Sequence, residues 1–565
     1  MKKIIFLTGA ALIGLCFQST AQLRDTIAFW KLRNSSWDTS DPVPAPVIQA
    51  TRSLREKLLV DPYRPGYHFC LPEGDGRPGD PNGAFYANGR YHLMYLYRRE
   101  GRGFSWGHVS TKDLLHWRHH PDAITPSGNE DGVFSGGGFL DDDGKVVLSY
   151  WQVVSLKDGE TFANRIQHTG SSGIALAVST DRHYDHWEKP GYNPVIASTD
   201  WGITEFKDKQ GNPIAIGSAD PSNIWKSDGY YYMLAGNLLV LNKYGRQADA
   251  PSRYQGDHLY LFRSTDLKTW EYRHEFYERS DAWTDISEDN MCPSFLPLPT
   301  TAEGGKPSGK HLLLFISHNK GAQYYIGTLN SETFSLESHG RMTWIDNAYF
   351  APEALVDGKG RQIMWSWIFD DRPDSVKSAY GWNGTYGLPR TLWMGKDGTL
   401  SQAPISELCQ LRQELQTSEN MIVDEHKELD LSGFGHALME LEIQVDLQNA
   451  SQFGVKVNCS EDGREETIIY YDDETRGLYV DTRNSSLDYG RKVVENAPFE
   501  LKDGILTLRI FTDRSIVEVF ANDKQAIGRM VYPTLGGTGI KLFSRGGKAK
   551  VRSVKAWELM ETNPY

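Results

Sequence analysis

Asp80-Pro81-Asn82-Gly83-Ala84-Phe85-Tyr86-Ala87-Asn88-Gly89-Arg90-Tyr91-His92-Leu93-Met94-Tyr95 decides the fold. An Asn-Gly pair between two runs of aromatic and apolar residues is a hairpin turn, because its backbone reaches positive φ at little cost. The device returns along the chain: Gly144 opens Lys145-Val146-Val147-Leu148, Gly229 opens Tyr230-Tyr231-Tyr232-Met233-Leu234, Gly309 opens Lys310-His311-Leu312-Leu313-Leu314-Phe315, and Gly360 opens Arg361-Gln362-Ile363-Met364-Trp365. A second marker, Ser-Thr then Asp closed by Trp, recurs at 110–117, 179–187 and 264–270. Intervals of roughly 50 to 85 residues suit blades of four strands around an axis. The expectation is an all-β chain whose residues 55–404 form a five-bladed β-propeller.

Past that region the texture changes. Leu408, Leu411 and Leu415 fall at helical spacing, which predicts a connecting helix or linker over 405–419. Glu440-Leu441-Glu442-Ile443-Gln444-Val445, Leu506-Thr507-Leu508-Arg509-Ile510 and Ser515-Ile516-Val517-Glu518-Val519-Phe520 then alternate with period two, so 420–565 reads as a β-sandwich with a stabilising role.

Counting back from the turn glycines locates candidate chemistry. Asp80, Ser135, Asp220 and Ala351 each precede their glycine by nine residues, so they occupy equivalent positions on inner strands and converge on one pocket. The two aspartates sit in matching settings, Asp80-Pro81-Asn82 and Asp220-Pro221-Ser222. In the fourth repeat the acid pair Glu288-Asp289 falls where an inner strand begins. Two carboxyl groups, one ionised and one protonated, are the minimum for cleaving a glycosidic bond. Asp80 is expected to be the nucleophile, Glu288 the acid/base with Asp289 as the alternative, and Asp220 the stabiliser of the transition state. Trp106, Phe134, Tyr349 and Trp382 are candidates either to stack on sugar faces or to pack in the core. No histidine pair at ligand spacing and no calcium loop is visible, so neither a metal nor another cofactor is expected.

The 565 residues exceed what one core holds, so two or three domains are expected. A net charge of -13 argues against a nucleic-acid partner. Lys2, Lys3, an apolar run to Cys16 and Ser19-Thr20-Ala21 form an export signal over 1–21; Leu15 is a poor neighbour for lipid attachment at Cys16. No later run is long enough to span a bilayer. The exported chain is expected to be periplasmic, extracellular or on the cell surface, with a polar N-terminal arm over 22–54 draped on the first domain. Cys70, Cys292, Cys409 and Cys459 then remain as buried thiols or one disulfide.

From about Tyr63 to Glu558 the sequence resembles glycoside hydrolase family 32, the invertases, inulinases and levanases. The resemblance is carried by Tyr67-His68-Phe69, Asp80-Pro81-Asn82-Gly83, Trp106-Gly107-His108, Val133-Phe134-Ser135-Gly136, Gly381-Trp382, Leu388-Pro389-Arg390, Pro404-Ile405-Ser406-Glu407-Leu408 and Ile510-Phe511-Thr512-Asp513-Arg514-Ser515 with Glu518-Val519-Phe520-Ala521-Asn522. It implies retaining hydrolysis of β-fructofuranosides through a fructosyl-enzyme, on an oligo- or polysaccharide such as a fructan, with Asn82, Phe134 and Ser135 in contact with substrate. Four departures stand out: Arg77-Pro78-Gly79 replaces Trp-Met-Asn, Leu96 replaces a Gln, Ala219 replaces the Arg before Asp220, and Met291 replaces the Glu before Cys292. Two other readings follow from them: an inverting furanosidase acting on arabinan, and a non-catalytic fructan-binding protein.

Overall fold

The computed structural model describes residues 45–71, 79–99, 103–155, 172–207 and 211–563. The export signal, Cys16, Arg77 and Pro78 lie outside them. Residues up to Val60 form one unit, whose described part is a helix, Ala45–Val60, with Pro46 in its first turn where a missing N–H costs nothing. This corrects two boundaries, since the end of the stretch assigned to the arm and the first six residues assigned to the propeller form one helix from Ala45 to Val60. Asp61 onward forms the second unit.

In that unit the first sheet is Pro81–Ala87, Arg90–Arg99, Gly103–Thr111 and Arg118–Ile124, paired in chain order. The second runs between Gly132–Phe134 and Ile196–Ala197, the third between Ala219–Pro221 and Trp270–Glu275, the fourth between Met291–Thr301 and Thr333–Arg341, and the fifth between Tyr349–Val356 and Leu400–Pro404. A separate hairpin, Ile203–Lys207 with Pro213–Gly217, stands between the second and third. Turns fall at Asn88-Gly89, Asp228-Gly229 and before Gly360, as the spacing predicts. The fourth sheet differs. Gly309 lies inside the strand Gly304–Ser317, and the hairpin turns at Ala302-Glu303, so the sequence count is lost there.

Neighbouring sheets are stitched to one another in a closed ring. Asn82 Oδ1 accepts the Gly136 N–H at 3.0 Å, joining first to second. Ser149 Oγ donates to the Ser222 carbonyl at 2.7 Å, and the Asn223 amide exchanges bonds with Phe295 N and O at 2.8 and 3.0 Å. Asn347 Nδ2 donates to the His318 carbonyl at 2.8 Å, and Glu353 Oε1 accepts the Ala84 N–H at 2.9 Å, returning to the first sheet. The domain is propeller-like.

Residues 405–419 are not one helix. A short 3₁₀ turn, Ser406–Leu411, leads straight into the strand Arg412–Val423, which pairs with Ala549–Leu559. Leu408 and Leu411 are buried by the turn, whereas Leu415 is exposed on a strand, so the helical spacing was coincidental. Two six-stranded sheets follow as the predicted sandwich, with a core that includes Leu441, Phe453, Leu508 and Val519. All four described cysteines are free thiols, Cys409 exposed.

Candidate active site

Asp220, Cys292 and Ala351 take positive φ values of 40°, 50° and 47°, each at a break in the pairing of its sheet's innermost strand. Such a backbone is costly for residues with a Cβ and recurs where side chains must be aimed. The same irregularity thus sits at the mouth of three sheets. In the fourth sheet the equivalent position is Cys292, not Glu288.

Around that mouth the buried Asp80 and Asp220 share one sulfur. Cys292 Sγ lies 3.8 Å from Asp80 Oδ2 and 3.6 Å from Asp220 Oδ2. Ser135 Oγ donates to Asp80 Oδ2 at 2.7 Å, while the buried Asp80 Oδ1 has no hydrogen-bond partner. One oxygen is therefore anchored and the other is left to react. Burial pushes the Asp80 carboxyl above its ordinary range, opposed by the Ser135 bond, the His318 charge and Cys292. Burial and then the Asp80 charge push Asp220 up to about 7.

The other predicted residues divide. Asn82 is buried, donating to the Asp80 carbonyl at 2.9 Å and accepting from Gly136, so its amide positions Asp80 instead of meeting substrate. Trp106, Tyr349 and Trp382 are core side chains, none more than 1% exposed. The guanidinium of Arg390 covers Tyr349, and Trp382 donates to Asp61 Oδ2 at 2.5 Å beneath Arg372. These three take the core-packing alternative and do not form a stacking platform. Phe134 is partly exposed and packs on Trp151, which in turn meets the exposed Trp201 edge-on at 5.6 Å. Trp201 was missed because nothing in its sequence neighbourhood distinguishes it from a turn residue.

Glu288 is not brought to the aspartates' shared thiol. Arg341 grips both of its oxygens at 3.0 and 2.8 Å, Gln323 Nε2 donates at 2.8 Å and the Asp285 N–H at 2.9 Å. Burial alone would raise this carboxyl, but those partners outweigh it and hold it below the ordinary range. A carboxylate kept ionised by a bidentate guanidinium does not serve as the acid expected of it. Met291 does not replace it: its side chain is buried, with Sδ 3.4 Å from the Leu238 N–H. Asp289 is also fully used, its oxygens accepting the His318 N–H at 3.0 Å and sitting 2.8 Å from His318 Nδ1. Leu96 and Ala219 are buried as well.

Away from this mouth, His92, His108 and His120 cluster within the first sheet. Several of their nitrogens have partners already: His92 Nδ1 to His108 Nε2 at 2.9 Å, His120 Nε2 to Ser110 at 2.6 Å and His120 Nδ1 to Asp185 at 2.6 Å. The His108 and His120 rings are stacked at 4.2 Å, and one nitrogen from each of the three lies within 4.8 Å of the others.

Comparison with known proteins bears on this arrangement. Residues 75–404 match the description "Glycosyl hydrolases family 32 N-terminal domain" and residues 407–558 match "Glycosyl hydrolases family 32 C terminal". The chain is 28% identical over 538 residues to a levanase of Bacillus subtilis, covering 89% of this chain and 72% of that protein. It is 27% identical over 545 residues to a levanase of a Bacillus strain, covering 88% of this chain but only 52% of that protein, so it spans about half of that relative's length. A raffinose invertase of Escherichia coli is 27% identical, with 91% and 99% covered. In structure the chain is similar to fructan 1-exohydrolase IIa from Cichorium intybus solved with 1-kestose, at a TM-score of 0.72, 21% identity, and coverage of 89% and 98%. That likeness is one of fold.

Proposed function

The chain belongs to glycosyl hydrolases family 32, and from that premise we propose that it cleaves β-fructofuranosidic bonds with retention. The observation that supports this most is the grouping of Asp80 and Asp220 on the Cys292 thiol, with Asp80 Oδ1 unpartnered. In this reading Asp80 Oδ1 attacks the anomeric carbon and the bond to the leaving oxygen breaks, its electron pair leaving with that oxygen. Water then displaces Asp80 from the fructosyl ester. Asp220 holds the ring and stabilises the positive charge that develops on it. Phe134, with Trp151 and Trp201 beyond it, offers the aromatic edge of the sugar site. The five sheets are read as blades of a five-bladed propeller and the sandwich as a stabilising domain.

The levanase, raffinose invertase and fructan exohydrolase names among its relatives point to fructans or sucrose-like oligosaccharides as substrates. Leu96 and Ala219, both fully buried, carry no polar group toward a sugar where the resemblance expects Gln and Arg, which changes which hydroxyls are recognised more than the bond chemistry. We further propose that the protein acts after export, a reading that rests on residues 1–21 and is tested by N-terminal sequencing of the mature protein from cell fractions. Among the described residues no helix is long and apolar enough to cross a membrane.

The test is sugar release from sucrose, inulin, levan and arabinan oligosaccharides by the wild type and Asp80→Asn. Fructose release that falls at least about 10³-fold in Asp80→Asn is expected for loss of a nucleophile. No sugar from any fructoside, with binding retained, would establish instead the non-catalytic reading that Met291 favours.

A further inference from the structure

If Asp80 attacks, something must protonate the oxygen that leaves, and the side chains that sequence position offers for that task are unfit. Glu288 is locked by Arg341, its alternative Asp289 is bonded to His318, and Met291 carries no proton to give. The proton donor has to be sought among groups at the same mouth.

His318 ends the strand Gly304–Ser317 and is held there by a fixed set of bonds. Asp289, whose side chain is 1% exposed, fastens both the His318 backbone N–H and ring Nδ1. Ser317 Oγ in turn donates to the Asp289 carbonyl at 2.6 Å, and Asn347 holds the His318 carbonyl. The ring stands edge-on to Phe350 at 5.7 Å, the residue directly before Ala351, whose strained backbone matches that of Asp220 and Cys292. Asp289 itself precedes Cys292 by only three residues. Yet the His318 side chain is 46% exposed. A buried carboxylate that takes Nδ1–H fixes the tautomer and leaves Nε2 as the atom that exchanges protons, the division of labour of an Asp-His pair.

We infer that His318, oriented by Asp289, is the catalytic acid and base of this site. The inference rests on the retaining reading above. In the first step Nε2–H passes its proton to the leaving oxygen as the Asp80 ester forms. In the second, the neutral Nε2 takes a proton from water as its oxygen displaces Asp80, returning the imidazolium. The charges facing the ring are Asp289, Asp220 and Asp80; burial pushes its pKa down, but the Asp289 bond and these three charges outweigh it and hold it above the ordinary histidine value. That direction favours the protonated ring the first step uses.

The experiment compares wild type, His318→Asn and His318→Ala on an oligofructoside that the wild type cleaves and on 4-nitrophenyl β-D-fructofuranoside, whose leaving group needs no proton. Asn keeps an N–H where Nδ1 was and so preserves the bond to Asp289; thermal melting checks the fold of both variants. On the oligofructoside, kcat/KM should fall about 10²- to 10⁴-fold, the usual contribution of general acid catalysis. On the nitrophenyl substrate the fall should stay under about tenfold in that step, with the alkaline limb of the kcat/KM profile lost. Added azide should restore turnover by forming fructosyl azide. An equal fall on both substrates, or no fall, overturns the inference, as does the same selectivity appearing in Asp220→Asn and not in His318→Asn. A wild type inactive on every fructoside overturns the retaining reading and this inference with it, a pattern distinct from an active wild type with undiminished His318→Asn.

Discussion

Two carboxyls that share a thiol are expensive to ionise together, and both Asp80 and Asp220 are raised above the ordinary range. Asp220 is the one whose titration can be followed. Its pKa, pushed to about 7 by burial and by Asp80, exceeds the value of about 3.9 it has in the unfolded chain. The native state therefore binds the extra proton between those values, and stability falls as pH rises through that window. Asp220→Asn should remove the fall, melting higher than wild type above pH 7, while kcat/KM drops on the order of 10²-fold. Parallel melting curves against pH check it, and an unchanged slope would show that Asp220 is ionised throughout. Glu288 should behave the opposite way. Glu288→Gln breaks a buried ion pair with Arg341, whose side chain is 21% exposed, and should cost about 2–3 kcal/mol by denaturant titration. It should leave the ratio of oligofructoside to nitrophenyl rates unchanged. Asp80, Ser135 and Asp220 were legible in the sequence because their register could be counted from a turn glycine. Glu288 was misread since its repeat turns at Ala302-Glu303 and Gly309 is internal to a strand. The Asp289 and His318 pairing, across 29 residues, leaves no local pattern to count.

Sheets that radiate from an axis share no strand-to-strand ladder, so the side-chain ties between neighbours count. Tyr91 to Asp357 and Arg263 to Glu332 are two such ties outside the innermost strands; Asn82, Ser149, Asn223, Asn347 and Glu353 are those of the closed ring. Sequence reading singled out only Asn82 among them, and for the wrong job, because a buried amide that bridges two strands looks on paper like one that greets a ligand. Glu353 is the costly member: burial raises its carboxyl to about 8 against the pull of the Ala84 N–H, so it is protonated at neutral pH. Since this exceeds the ordinary glutamate value near 4.3, the native state again holds the extra proton, and stability falls as pH rises from there to about 8. Glu353→Gln keeps an acceptor for Ala84 and should abolish this dependence with little loss at pH 6. Glu353→Ala strands a buried N–H and empties a packed site, for about 2–3 kcal/mol at any pH. If the alanine variant were neutral, the bonds of Tyr91 to Asp357 and Arg361 would suffice to join the first and fifth sheets.

The propeller-like domain and the sandwich are coupled through carboxylates that the family motifs display without explaining. Asp513 is fully buried and accepts the backbone N–H groups of Gly66, Tyr67 and His68 at 2.5, 2.9 and 2.9 Å, with His68 Nδ1 also at 2.9 Å. Glu518 accepts the Leu388 N–H at 3.0 Å and Arg390 at 3.2 Å. The segment so clamped continues to the fifth sheet, where the Phe69 carbonyl takes the Tyr386 N–H at 2.9 Å. One strap is thus tied at one end to the sandwich and at the other to the sheet that closes the ring. Signatures far apart in sequence, Tyr67-His68-Phe69 and Asp513-Arg514-Ser515, are two halves of a single joint. Asp513→Ala would leave three buried N–H groups and an imidazole without their acceptor, at about 1–3 kcal/mol for each unsatisfied group. Against a total stability of about 5–15 kcal/mol for a typical domain, that loss is large. Because the joint serves both domains, calorimetry should show either one transition at much lower temperature or two where the wild type has one. Well below the new melting point kcat/KM should stay within a few-fold of wild type, since Asp80, Asp220 and His318 take none of their bonds from the strap. A variant that melted like wild type would mean that the sandwich is held by its apolar face alone, with Asp513 answering only a local need.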